Sequence, residues 1–207
     1  KGWALFLNTN IWGFTGVIDW PTAFWQPEAA AWLAQHYYEH YLFSGDEKFL
    51  RERAYPLMKS ASEFWLEFLI KDPRDGKLIV SPSFSPEHGN FTNGAAMSQQ
   101  IVFDLLRNTH AAADILGDKK FTRQVAKKLA QLDSGIRIGS WGQLQEWKED
   151  VDDPKNDHHL PRPFGVFYQS IRPVYEDMMK MQIEEAKAKK PAELDKLIRG
   201  NEVWEIV

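Results

Sequence analysis

The chain has 207 residues, enough for one substantial core, and its formal net charge of −4 comes without a basic tract, which argues against nucleic acid or an anionic membrane as partner. No apolar run approaches the roughly 20 residues that cross a bilayer, so the chain reads as soluble. Zero cysteines exclude disulfides, thiolate metal sites and cysteine nucleophiles, while leaving cytoplasm, periplasm and secretion all open.

The chain begins at Lys1 and runs directly into Trp3-Ala4-Leu5-Phe6-Leu7, which suggests that its natural beginning lies upstream. A leader lost with that segment would place the protein in the periplasm or outside the cell. Residues 27–43 carry proline in the first turn, align Ala30, Leu33, Tyr37 and Tyr41 on one stripe and stop at Ser44-Gly45-Asp46, as a helix does. Residues 55–71 repeat the pattern through Leu57, Ala61, Phe64 and Phe68 and close at Asp72-Pro73, where the residue before proline disfavours helix. These two helices form an antiparallel pair. Arg74-Asp75-Gly76 is a turn, and Leu78-Ile79-Val80 is a short strand feeding the loop Ser81-Pro82-Ser83-Phe84-Ser85-Pro86-Glu87-His88, which two prolines stiffen. A second helical pair follows: Met97, Ile101, Leu105 and Ala112 mark a helix over 96–116 ending at Gly117, and Phe121, Val125 and Leu129 mark the next.

Successive helical hairpins joined by functional-looking loops predict a mainly α fold, either an α/α toroid or a helical solenoid, since periodicity cannot separate the two. Eight of the nine tryptophans precede residue 148. Such aromatic enrichment fits a large aromatic core, which composition alone favours, or rings that stack on sugar faces.

Several segments in succession resemble glycoside hydrolase family 95, the inverting α-L-fucosidases. They are Trp25-Gln26-Pro27, Ala31-Trp32-Leu33 through Glu39-His40-Tyr41, Ser44-Gly45-Asp46, Ala54-Tyr55-Pro56-Leu57-Met58, Leu78 through His88, Met97 through Asp104, Ala111 through Gly117, and Gly142 through Asp150. The resemblance covers residues 1 to about 158. It implies a partial (α/α)6 barrel, a fucosylated oligosaccharide or related glycan as substrate, and no cofactor or metal. The Ser-Pro-Glu match puts the family's general acid at Glu87, a carboxyl group that must stay protonated near neutrality to hand its proton to the leaving oxygen. Burial against rings such as Phe84 would raise its pKa in the required direction. Asn10 and Trp12 fall on a segment that lines the sugar pocket, with a capping asparagine and a core tryptophan as the bland reading. Glu146, beside Gln145 and Trp147, is a substrate contact or a buttress of the loop, the latter slightly favoured. His158 matches the first histidine of a substrate-binding His-Arg-His segment, although the following letters depart from it. The family's water-activating asparagine pair and assisting aspartate lie outside the matched part, so this chain is expected to be incomplete and inactive by itself.

Competing readings are a helical carbohydrate-binding or interaction module without turnover, and a zinc site at His36-Tyr37-Tyr38-Glu39-His40, whose histidines share one helical face but lack an evident third ligand. Asn90-Phe91-Thr92 is a formal glycosylation acceptor that matters only in a eukaryotic secretory pathway. From about 159 the texture changes. Leu160 through Tyr168, Arg172 through Glu176 and Gly200 through Ile206 resemble the C-terminus of 2-oxoacid:ferredoxin oxidoreductase β subunits, and 159–207 is therefore expected to be an unrelated α+β tail joined by fusion or an assembly chimera. A thiamine-dependent oxidoreductase role is the weakest alternative, because the chain has no cysteine for iron–sulfur clusters.

Overall fold

Short polar residues and glycines fix where the helices start and stop. The computed structural model describes residues 1–7, 11–13, 16, 19–85 and 89–155, all within the unit Lys1–Pro163. The tail from 159 lies outside the described residues. Six helices are described: α1 (Pro21–Phe24), α2 (Ala29–Ser44), α3 (Glu47–Phe49), α4 (Tyr55–Phe68), α5 (Ala96–Ile115) and α6 (Lys119–Leu129). Two short strands, β1 (Ile70–Lys71) and β2 (Leu78–Ile79), pair antiparallel in the register Ile70↔Ile79 and Lys71↔Leu78.

Helix α2 ends where Gly45 takes a left-handed φ of 65° and donates its N–H to Tyr41 O at 2.8 Å, a conformation that glycine adopts without strain. Asp46 then accepts from Phe49 N at 2.9 Å and starts α3. A π-turn over Leu50–Ala54 joins α3 to α4. Pro56 supplies the physical reason: it has no N–H for the Glu52 carbonyl, and its ring would crowd that oxygen in a regular helix. Helix α4 stops at Phe68, three residues before the expected 71, because Ile70 and Lys71 are drawn into the strand pair.

Helix α5 packs against α2, α4 and α6, and the core lies along it. Trp65, Met58, Val102, Leu105, Leu106 and Val125 are buried there. The predicted stripes on α5 and α6 hold at Ile101, Leu105, Ala112, Phe121 and Val125. On α2 Ala30 is buried as predicted, but its buried companions are Ala31, Ala34 and Tyr38, while Leu33 and Tyr37 are 49% and 38% exposed. Both sides of α2 are apolar, so sequence periodicity could not choose between them. Helix α4 buries Ala61 as predicted but turns Met58, Ser62, Trp65 and Leu66 inward with it, about one position away from the expected Leu57, Phe64 and Phe68.

Several buried polar groups are paired across the helices, as an interior of low dielectric favours. Ser62 Oγ donates to Thr109 Oγ1 at 2.9 Å, and Thr109 Oγ1 donates to Leu105 O at 2.7 Å, which joins α4 to α5. Asp118 caps α6 through Phe121 N at 3.1 Å and also accepts Tyr55 Oη at 2.8 Å and Lys59 Nζ at 2.5 Å, which joins α6 to α4. From α5, Gln99 accepts Val80 N at 2.6 Å and donates to Asp133 O at 2.6 Å, pinning the chain that leaves β2.

Glu28, 1% exposed at the start of α2, accepts Ser98 Oγ of α5 at 2.5 Å. Burial pushes its carboxyl up from 4.5 to about 7, with the Ser98 hydrogen bond pulling partly the other way. A raised folded-state pKa means that the folded chain keeps a proton that the unfolded chain loses. Stability therefore falls as pH climbs from 4.5 to about 7, and the full penalty, about 3 kcal/mol, remains above that range. Glu28→Gln keeps the acceptor for Ser98 and removes the titration. Urea unfolding should show the variant gaining on the parent by about that amount between pH 5 and pH 8; a difference that does not change with pH would contradict the assignment.

Candidate active site

The loop after β2 is folded back on itself and fastened from three sides. Ser83 and Thr92 exchange backbone hydrogen bonds of 2.8 Å in each direction, Ser83 Oγ accepts Ala95 N at 2.9 Å, and Gly94 N donates to Val80 O at 2.9 Å. The segment before α2 holds the outer side, where Trp25 Nε1 donates to Pro82 O at 3.2 Å and Gln26 Nε2 donates to Phe84 O at 3.4 Å. Phe84 is fully buried, its ring 6.5 Å edge-on from Phe91, which meets Trp25 edge-on at 6.3 Å. Phe6 adds contacts to Trp25 and Phe24 at 5.2 and 5.3 Å. An aromatic cluster thus carries the base of the loop.

The third side is the segment after α6. Residues 138–144 form a small antiparallel bridge at Ile138↔Leu144, after which Gln145 N donates to Arg137 O at 2.9 Å and Ala96 N donates to Glu146 O at 2.9 Å. Glu146 N lies 3.3 Å from both carboxylate oxygens of Asp152. Its side chain accepts a hydrogen bond from Ser85 Oγ. The indole of Trp147 lies over Gly89, so close that a Cβ there would stand 3.0 Å from Trp147 Cη2; Gly89 also has a φ of 83°, so this position favours glycine twice over. Lys148, 8% exposed, reaches Asp72 and Asp75 at 2.8 Å and Asp133 at 3.1 Å, tying the segment to the turn between β1 and β2. Arg74 and then Lys148 hold the Asp72 carboxyl well below the usual carboxylate range.

Among the sequence-predicted site residues, Glu87, Asn10 and His158 lie outside the described residues. The chain on either side of Pro86-Glu87-His88 is described: Ser85 is 5% exposed and Gly89 is exposed beneath the Trp147 ring. Trp12 is 83% exposed. Glu146 meets the loop at Ser85, whose hydroxyl donates to its carboxylate. His36 Nδ1 lies 3.1 Å from Glu39, and the His40 ring stands 4.2 Å from the Phe49 ring. No group of three metal-ligating side chains occurs among the described residues. Sequence reading missed Ser85, Gly89 and Lys148, because Ser85 meets Glu146, Gly89 meets Trp147 and Lys148 meets Asp72 across 58 to 76 positions, and no short-range spacing announces such contacts.

The sequence model of the glycosyl hydrolase family 95 catalytic domain matches residues 1–183. The chain is 40% identical over 180 residues to "Probable alpha-fucosidase A" of Aspergillus niger, with 81% of this chain and 22% of that protein covered. It is 33% identical over 183 residues to "Alpha-L-fucosidase 2" of Arabidopsis thaliana, covering 81% of this chain and 21% of that protein. It therefore spans about a fifth of the length of the curated relatives it matches.

Proposed function

The chain belongs to the catalytic domain of glycosyl hydrolase family 95, and on that premise we propose that it is part of an inverting α-L-fucosidase in which Glu87 is the general acid. Water attacks the anomeric carbon from the face opposite the leaving group, the glycosidic C–O bond breaks, and Glu87 delivers its proton to the departing oxygen. What supports this reading is the described chain on either side of residues 86–88: Ser85 is held by Glu146, Gly89 by Trp147, and Phe84 belongs to an aromatic cluster with Phe91 and Trp25. Preorganisation of this kind is what a proton donor needs to meet one oxygen atom repeatedly. Asn10, Trp12 and His158 serve as substrate contacts in the same reading, and the substrate is a glycan ending in fucose or a closely related hexose.

The helices form part of an (α/α)6 toroid. Support comes from α2, whose outer side keeps Trp32, Leu33, Tyr37 and Phe43 exposed at 38 to 65%, an apolar face suited to packing against further helices. Because the water-activating groups implied by the family lie outside these residues, the 207-residue chain does not turn over fucosides by itself.

The test follows the product by proton NMR. The full-length protein should release the β anomer of fucose first from an α-fucoside, as single displacement by water demands, and the 207-residue chain alone should release neither anomer. First appearance of the α anomer would replace inversion with a covalent two-step route, and brisk turnover by the short chain would remove the claim of incompleteness.

A further inference from the structure

Two residues adjacent in sequence, Glu146 and Trp147, grip the two residues that flank positions 86–88. Glu146 accepts the hydroxyl of Ser85, the residue just before them, and Trp147 covers Gly89, the residue just after them. Taking Glu87 as the acid, and therefore resting on the reading above, we propose that Glu146 is a positioning residue rather than a sugar ligand. Through Ser85 it sets where the chain enters residues 86–88, while Trp147 sets where the chain leaves them.

Four features make the 143–148 segment a fixed reference for that role. Both backbone groups of Glu146 are engaged, the N–H with Asp152 and the carbonyl with the N–H of Ala96 at the start of α5. The neighbouring Gln145 is buried and hydrogen-bonded through its backbone to Arg137. Upstream, Gln143 Nε2 lies 2.9 Å from Asp150 and 3.1 Å from Asp152, closing the segment on itself. Downstream, Lys148 is clamped by three carboxylates. A side chain held so firmly and already spending a carboxylate oxygen on Ser85 is suited to hold protein rather than to adapt to a sugar hydroxyl. The rigid parts meet at the hydroxyl of Ser85, which is 5% exposed and so exchanges little with water.

The experiment uses the full-length protein with Ser85→Ala, Glu146→Ala, Glu146→Gln and the Ser85→Ala/Glu146→Ala double variant, assayed on alkyl and activated aryl fucosides. Displacing an acid by about an ångström costs roughly 10- to 100-fold. Ser85→Ala and Glu146→Ala should each lower kcat on alkyl fucosides by that factor, leave KM close to the parent and spare the aryl substrates, which need little protonation. The double variant should be no worse than either single one, since both remove the same contact. Glu146→Gln, whose amide oxygen still accepts from Ser85, should recover most of the loss. A silent Ser85→Ala, together with a rise in KM on every substrate for Glu146→Ala, would make Glu146 a sugar ligand and overturn the proposal. Should Glu146→Ala fail to fold, Ser85→Ala and Glu146→Gln still decide the matter. Failure of the underlying acid assignment is read separately, as a Glu87→Gln variant with no leaving-group dependence; in that case the non-additivity of Ser85 and Glu146 in thermal unfolding still reports whether the two are coupled.

Discussion

Glu87→Gln in the full-length protein is expected to slow hydrolysis of alkyl fucosides by about 10²–10⁴-fold, while activated aryl fucosides lose far less. The amide that replaces the carboxyl group keeps nearly the same volume and can still accept or donate a hydrogen bond, but it has no acidic proton to give. An alkoxide leaving group needs that proton in the transition state; a nitrophenolate departs without it. The loss should therefore grow steadily with the pKa of the leaving alcohol, and a plot of log kcat/KM against that pKa should be much steeper in the variant. The alkaline limb of the pH profile, where the parent enzyme loses its acid by ionisation, should also vanish in the variant. An equal loss on all leaving groups would mean that residue 87 binds sugar or shapes the loop, and the general acid would have to be sought elsewhere. The loop is well suited to the comparison, since its base is held by Ser83, Thr92, Trp25 and Gln26 and none of these contacts depends on the residue 87 side chain.

Local features were legible in the sequence and long-range ones were not. Gly45 and Gly117 mark helix ends because only a residue without Cβ takes a left-handed conformation cheaply, and Asp46 and Asp118 cap the next helices because a short carboxylate reaches the free amides there. Such signals act within four or five residues and can be read off the letters. Which side of α2 faces inward could not be read, because Leu33 and Tyr37 look as apolar as Ala34 and Tyr38, and only the packing partner distinguishes them. The start of α4 at Tyr55 was legible, whereas the π-turn that feeds it depends on how Pro56 and the preceding Leu50–Ala54 share one helical axis. Family letters pointed to the acid-bearing loop and to Glu146. The contact between them, Ser85 to Glu146, spans 61 residues and follows only from the way the segment after α6 returns to the start of α5.

Lys148→Met is expected to destabilise the protein by about 3 kcal/mol at neutral pH, since removing one partner of a buried ion pair leaves the other charges desolvated and uncompensated. Lys148 is 8% exposed and faces Asp72 and Asp133, which are 1% and 10% exposed. Arg74 remains on Asp72 and Arg137 on Asp133, which places the cost at the lower end of the range measured for broken buried pairs. Asp75 is 44% exposed and contributes little, because water takes over its charge. The pH dependence carries a second signature. Asp72 and Asp75 both have carboxyl groups lowered from 3.8, by Arg74 and by Lys148 respectively as the first cause, so their stabilisation is present above 3.8 and is lost as pH falls below it. In Lys148→Met this acid-side loss should shrink, and the curves of parent and variant should converge below pH 3.8. Lys119→Met is the control: it removes an ion pair of similar length, 2.6 Å to Asp114, between side chains 64% and 56% exposed, and should leave the urea midpoint where it was. Equal effects of the two substitutions would mean that burial does not govern the Lys148 cluster. A selective loss at Lys148 would instead show that the segment carrying Glu146 and Trp147 is anchored at its far end by charge, a constraint that also acts on the loop those residues grip.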